Sequence, residues 1–209
     1  PGTNGWYTTP VGITWTPSAA GPSGQNLSSD CSEVTTGETA GHTFTCTVTT
    51  GAGIASAPGA VTVKVDETKP VVTYTGNAGS YSVLQTVNIL CAATDNLSGV
   101  ASSTCQQITG PAYGYALGQH TFSATATDNA GNTGSGATAV NVVVASGDIC
   151  TLTEAWVTQP GKGGGIANSL CVKLRHAQYG AYINEVSAQS GKAIATDKAA
   201  ILIGLAKLM

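Results

Sequence analysis

Charge is what this chain has least of. Lys and Arg number 8, Asp and Glu 11, so charged residues make up 9% of 209 positions, against about a quarter in ordinary soluble chains. The net charge of −3 is spread without any basic cluster. That excludes the concentrated cationic surface that nucleic acid requires. No apolar run approaches the roughly 18–20 residues of a membrane-spanning helix. The acids are scattered too thinly to offer a carboxylate pair for sugar hydrolysis. No Ser or Cys falls into a pattern with His and an acid, so no catalytic residues are expected and the chain does not read as an enzyme. His42 and His120 begin strands and read as structural.

Thr, Ser, Gly, Ala and Asn fill the space that charge leaves. Apolar residues still make up 42% of the chain, enough for packed cores. Val, Ile and Tyr recur in alternating runs, which argues for strands and against disorder. The six cysteines fall two to each third of the chain: Cys31 and Cys46, Cys91 and Cys105, Cys150 and Cys171. None shows the spacing of a zinc site. Local pairing gives disulfides Cys31–Cys46, Cys91–Cys105 and Cys150–Cys171, and with them an oxidising, extracellular compartment. The chain opens at Pro1 and reads as a mature or trimmed piece of a secreted or cell-surface protein.

Much of the first two thirds is written twice. His42-Thr43-Phe44-Thr45 reads against His120-Thr121-Phe122-Ser123, 78 residues on. Val11-Gly12-Ile13 reads against Val87-Asn88-Ile89, and Ser28-Ser29-Asp30-Cys31 against Ser102-Ser103-Thr104-Cys105. A period of that length suits a small β-sandwich. Expected strands are Val11–Thr16, Thr43–Thr49 and Ala60–Val65 in the first copy. Val71–Tyr74, Val87–Thr94, His120–Thr127 and Thr138–Val144 are expected in the second. Asp66-Glu67-Thr68-Lys69-Pro70 is a polar joint between the copies, and Pro70 favours an extended exit.

After Val144 the apolar period becomes helical: Ile166, Leu170, Leu174 and Ala177, then Ile183 and Val186, then Leu202, Leu205 and Leu208. Ala145–Asp148 reads as a linker, Pro160–Gly165 as a loop, Gly191 as a helix stop and Thr196 as an N-cap. The fold class is therefore mostly β with an α C-terminal module. Two tandem Ig-like β-sandwiches, 1–67 and 68–146, are followed by a small disulfide-stapled helical domain, 147–209.

Gly5-Trp6-Tyr7-Thr8-Thr9-Pro10-Val11, Val63-Lys64-Val65-Asp66-Glu67-Thr68-Lys69-Pro70 and Ala126-Thr127-Asp128-Asn129-Ala130-Gly131-Asn132-Thr133-Gly134-Ser135 resemble bacterial Ig-like repeats of secreted and surface proteins, over residues 1–145. The first copy departs from that pattern, with Thr50-Gly51-Ala52-Gly53-Ile54-Ala55 at the turn. Asn168-Ser169-Leu170-Cys171-Val172-Lys173-Leu174 and Ala181–Lys192 are similar to a FIMAH-like helical domain found at the C-terminus of secreted hydrolases and surface proteins. The resemblances imply an accessory structural role and no catalytic residues.

Candidate sites are few. Asp95, Asp128, Asn129 and Asn132 could give Ca²⁺ the oxygen ligands it prefers, and Asp66 and Glu67 could do so at the joint. The same residues also favour turns by bonding their own backbone. No cofactor is expected beyond calcium. Tyr113 and Tyr115 lie in a turn-rich loop, where exposed rings could meet a sugar or another subunit. Gly161-Lys162-Gly163-Gly164-Gly165 lacks the spacing of a phosphate loop. Asn26-Leu27-Ser28 and Asn96-Leu97-Ser98 match the glycosylation pattern. The leading functional expectation is a non-catalytic extracellular spacer, display or attachment module. One alternative is a subunit of an extracellular fibre or surface layer, joined through exposed strand edges. Another is a carbohydrate-binding appendage of a hydrolase. Expected partners are other protein chains or extracellular polysaccharide.

Overall fold

The computed structural model describes residues 3–18, 28–29, 31, 34–158 and 163–209. Part of the expected loop at 160–165 and most of the first glycosylation pattern lie outside the described residues. The chain divides into two compact units. One holds 1–73, 91–106 and 123–137; the other holds 74–90, 107–122 and 138–209.

The first copy is built on β5 (Thr39–Cys46) and β7 (Gly59–Val65), which pair antiparallel from Thr39↔Val65 to Cys46↔Gly59. A two-residue strand, β1 (Trp6–Tyr7), runs parallel to the end of β7. Two short ribbons accompany this sheet. β2 (Val11–Ile13) pairs with β4 (Val34–Thr36), and β3 (Ser28–Ser29) pairs with β6 (Val48–Thr49). The expected strand Val11–Thr16 is thus only half formed. Thr43–Thr49 is broken at Thr47 into β5 and β6. Alternation decides the core: Val63 and Val65 are buried while Lys64 between them is exposed, and Trp6, Phe44 and Cys46 pack inside with them.

The second copy has seven strands. They are β8 (Val71–Thr75), β9 (Ser80–Ser82), β10 (Thr86–Thr94), β11 (Val100–Ser103), β12 (Ile108–Pro111), β13 (Gly118–Asp128) and β14 (Thr133–Val143). One sheet has the order β12-β10-β8 and the other β11-β13-β14-β9. That order is an immunoglobulin-like sandwich. Its first strand is split: β8 joins one sheet, and β9 crosses to run parallel to β14. The parallel pairing of β1 with β7 repeats this device in the first copy.

Backbone proximity shapes one edge. A Cβ on Gly134 would collide with the carbonyl oxygen of Pro70, and one on Gly136 with that of Val72. β14 can lie against β8 here only because both positions lack a side chain.

Four helices follow: α1 (Ser146–Trp156), α2 (Gly163–Arg175), α3 (Tyr179–Gln189) and α4 (Thr196–Ala206). The expected linker at 145–148 is mostly the first turn of α1, because the Asp148 carboxylate accepts the N–H of Ala145 at 3.0 Å and closes that end. Gly163–Gly165 belongs to α2 rather than to a loop. Ala177 does not continue the α2 stripe; it lies beyond the helix at φ 53°. Ala195, not Thr196, caps α4, without a side-chain bond. Leu208 is 65% exposed and outside the core.

One apolar cluster contains sheet residues Val87, Ile89, Val140 and Val142 and the turn residue Val83 together with helical Ile149, Leu170, Tyr182 and Leu202. Each fully buried aliphatic side chain contributes about 1.5–3 kcal/mol, so helices and strands of this unit stabilise one another. Cys150 on α1 and Cys171 on α2 are bonded, with Cα atoms 5.1 Å apart. Cys31–Cys46 and Cys91–Cys105 are also bonded, at 4.8 and 5.5 Å. Buried among the helices, the Tyr182 hydroxyl meets Thr153 Oγ at 2.7 Å, and Thr153 donates on to the Ile149 carbonyl.

Replacing Gly136 by Ala is expected to destabilise by about 1–3 kcal/mol or more, since backbone must move to admit the methyl group; urea unfolding measures it. Burial pushes the Tyr182 hydroxyl up to about 12, against a smaller lowering by its bond to Thr153. The unfolded chain then loses this proton near pH 10 while the folded chain keeps it to about 12. Stability should fall by about 2–3 kcal/mol across that window. Urea melts at pH 9 to 12 should show this component in the wild type and not in Tyr182→Phe.

Candidate metal centre

Three acids from separate segments converge. Asp66 ends the exposed-buried alternation of β7, Asp95 follows β10, and Asp128 closes β13. One carboxylate oxygen of each lies within 4.8 Å of the others. Asp66 and Asp128 are 0% and 1% exposed. Among the described residues the only ion pair is Lys173–Glu185, in the helices, so no Lys, Arg or His neutralises the three acids there. At an effective dielectric near 20, like charges at this spacing repel by about 3–4 kcal/mol per pair.

The backbone is wrapped around these carboxylates. Asp66 accepts the N–H of Thr68 at 3.0 Å through Oδ1 and that of Ser98 at 2.9 Å through Oδ2. Asp95 Oδ1 accepts the N–H of Leu97 and of Gly99, a turn closed by its own side chain. Asp128 Oδ1 gathers the N–H of Gly131 and Asn132 at 2.6 and 2.8 Å. Each of these bonds comes from a main-chain N–H. They leave Asp95 Oδ2 sealed from solvent with no hydrogen-bond partner, and Ser98 Oγ beside it in sequence is in the same condition. A sealed, unpartnered oxygen is expensive unless something cationic meets it.

Of the six residues the sequence offered as calcium ligands, the structure brings Asp66, Asp95 and Asp128 together. The amides of Asn129 and Asn132 act as donors instead. Asn129 Nδ2 donates to the carbonyls of Ser98 and Gly99. Asn132 Nδ2 donates to those of Asp66 and Thr68 and to Asp128 Oδ2. They tie the joint to the loops. Glu67 does not join the cluster; its N–H and the Thr68 hydroxyl donate to Glu38. Ser98 went unread as a contributor. Its signal was the spacing Asp95-Asn96-Leu97-Ser98-Gly99, an acid at a strand end followed by a hydroxyl and a glycine.

Calcium takes six to eight oxygens, carboxylates foremost. Asp66, Asp95, Asp128 and the hydroxyl of Ser98 are hard oxygen donors, and no nitrogen or sulfur ligand accompanies them. The donor set fits Ca²⁺ better than a transition metal. The other acid-bearing cluster, Cys150, Glu154 and Cys171, is not comparable, because its two sulfurs are joined to each other.

Tyr113 and Tyr115 are half-buried against the sandwich and helix core. Tyr113 meets Trp156 edge to face at 5.0 Å, and the Lys198 ammonium lies 5.2 Å over its ring. Tyr115 packs on Phe122 at 6.1 Å. Both border a shallow groove with Leu117, Ile201, Gly204 and Leu208. His42 meets Phe44 edge to face, and His120 Nε2 sits 2.5 Å from the Ala116 carbonyl.

No family model matches the chain, and no curated protein matches it. Solved structures overlap it in part. The fibronectin(III)-like modules of Clostridium thermocellum CbhA share 16% identity over 66% of this chain and 87% of that one, with a TM-score of 0.28. The protocadherin fragment PcdhgB3 EC1-4 shares 12% over 50% and 32%, with a TM-score of 0.30. The protocadherin GammaB4 extracellular domain shares 14% over 66% and 26%, with a TM-score of 0.32. The chain therefore spans about a third or less of the two protocadherins. The sandwich assignment stands on strand order and register alone.

Replacing Asn132 by Ala removes the amide contacts to the Asp66 and Thr68 carbonyls and leaves Oδ2 of buried Asp128 without its donor. A loss of about 1–3 kcal/mol is expected, read as a lower urea midpoint with an unchanged slope.

Proposed function

We propose that this chain is a non-catalytic extracellular spacer or attachment region, in which a divalent cation of the calcium class fixes the joint between its two sandwiches. The observation that carries this reading is the convergence of buried Asp66 and Asp128 with half-buried Asp95, without a protein cation among the described residues. Asp66 belongs to the joint, whereas Asp95 and Asp128 belong to loops of the second copy. A cation shared by all three would turn a short polar connection into a stiff one, which is what a spacer needs. Disulfides in each third of the chain support an oxidising, extracellular setting. No described helix is long and apolar enough to cross a membrane. The division 1–67, 68–146 and 147–209, the bacterial origin and the FIMAH-like character of the helical part belong to this same reading.

A second reading, the fibre or surface-layer subunit, is favoured by one observation. Between residues 68 and 146 the only formally charged side chains are Lys69, Asp95 and Asp128, and the two acids belong to the buried cluster. The outer faces of that sandwich can pack against another protein with almost no ion to desolvate. The carbohydrate-binding reading is weaker, because Tyr113 and Tyr115 are already engaged with Trp156, Lys198 and Phe122.

Calcium chloride titrated into the chelator-treated protein should give a saturable heat at one site per chain. Saturation at a hundred times the dissociation constant should add about 2.7 kcal/mol of stability. Asp128→Asn should abolish both effects. A wild-type melting curve identical in calcium and in chelator would remove the cation from the proposal.

A further inference from the structure

Residues Thr3–Tyr7 reach the acid cluster by two independent routes. The first runs through the backbone. β1 lies parallel to β7 with Tyr7 opposite Val65, and the Tyr7 carbonyl accepts the N–H of Asp66 at 2.8 Å. The residue that brings a carboxylate to the centre is thus held by the segment's own main chain. The second route runs through the 128–132 loop. Asp128 folds that loop by gathering the N–H of Gly131 and Asn132. On its outer side the Asn129 carbonyl accepts a bond from Asn4 Nδ2 at 3.3 Å. Thr3 lies so close to Gly131 that a Cβ there, at φ +104°, would come within 3.2 Å of the Thr3 hydroxyl.

Local backbone conformation sets the segment for this contact. Asn4 is left-handed at φ 54°, and Gly5 follows at φ 78°. Asn tolerates that region better than most residues, but it remains costly for any side chain. Two successive left-handed residues turn the chain sharply just before Trp6, so that Thr3 and Asn4 reach the loop while Trp6 enters the core. Asp66 and Asp128 face one another inside the cluster, and each is attached to residues 3–7 from a different side.

We propose that residues Thr3–Tyr7 form a cation-controlled latch: occupancy of the Asp66–Asp95–Asp128 centre and docking of this segment on the 128–132 loop favour each other. This rests on the centre's being a calcium site. With a cation present, Asp66 and Asp128 are drawn together, the loop is fixed, and Asn4 and Thr3 find their partners. Without it, mutual repulsion of the acids loosens the loop and the latch opens. Because such coupling is reciprocal, a weakened latch must also weaken cation binding by the same factor.

The test uses the whole chain in calcium and in chelator. Hydrogen exchange across residues 3–7 should slow in calcium, and slowing should vanish in Asp95→Asn. Asn4→Gly keeps the left-handed backbone accessible and removes only the amide; its calcium affinity, by titration calorimetry, should fall by about fivefold or more. Equal affinities for wild type and Asn4→Gly, with exchange at 3–7 indifferent to calcium, would overturn the latch while leaving the centre intact. Absence of calcium binding to the wild type would overturn both.

Discussion

The burial of Asp66 is the constraint around which the joint is organised. A carboxylate at the end of a strand normally turns to water. This one is enclosed: its main-chain N–H, its carbonyl and Oδ2 have partners on other segments, and Oδ1 accepts the N–H of Thr68 in its own joint. The connection between the two copies is therefore not a free tether. Its geometry is fixed by the 95–99 and 128–132 loops, and those loops are in turn shaped by Asp95 and Asp128 closing turns on themselves. Charge, which the chain otherwise uses so sparingly, is concentrated where it organises most backbone.

The helical part obeys a different logic. Its helices are stitched by a disulfide between α1 and α2 and by the Tyr182–Thr153–Ile149 chain of bonds, but a segment of about 60 residues has little core of its own. It shares one with Val87, Val140 and Val142 of the strands in the same unit. The Lys198 ammonium, held over both Tyr113 and Trp156, adds a polar tie between a strand-loop aromatic and a helix.

Alternation made the long strands readable: Val61–Val65, Val87–Thr94 and His120–Thr127 all carry a period of two, and all are strands. Helical spacing around Leu170, Leu174, Val186 and Leu202 was equally plain, and all four are buried. What could not be read were effects of contact. Nothing in Trp6-Tyr7 announces a parallel partner sixty residues away. Leu208 fits the stripe of α4, yet it falls past the helix end, where nothing covers it. In the acid cluster, composition pointed to Asp95 and Asp128, and the joint to Asp66, but only the folded chain shows them meeting. Asn129 and Asn132 looked like ligands because amides carry an oxygen; the loops use their N–H groups instead.

The close passage of β14 over β8 at Gly134 and Gly136 has a consequence for how copies could join. The carbonyls of Pro70 and Val72 are aimed at the bare Cα atoms of the facing strand, so that flank of the sheet has no room for an incoming chain. Zippering by strand donation is sterically closed there. If many such molecules line up end to end, they must do so through loops, through flat neutral faces or through the helices.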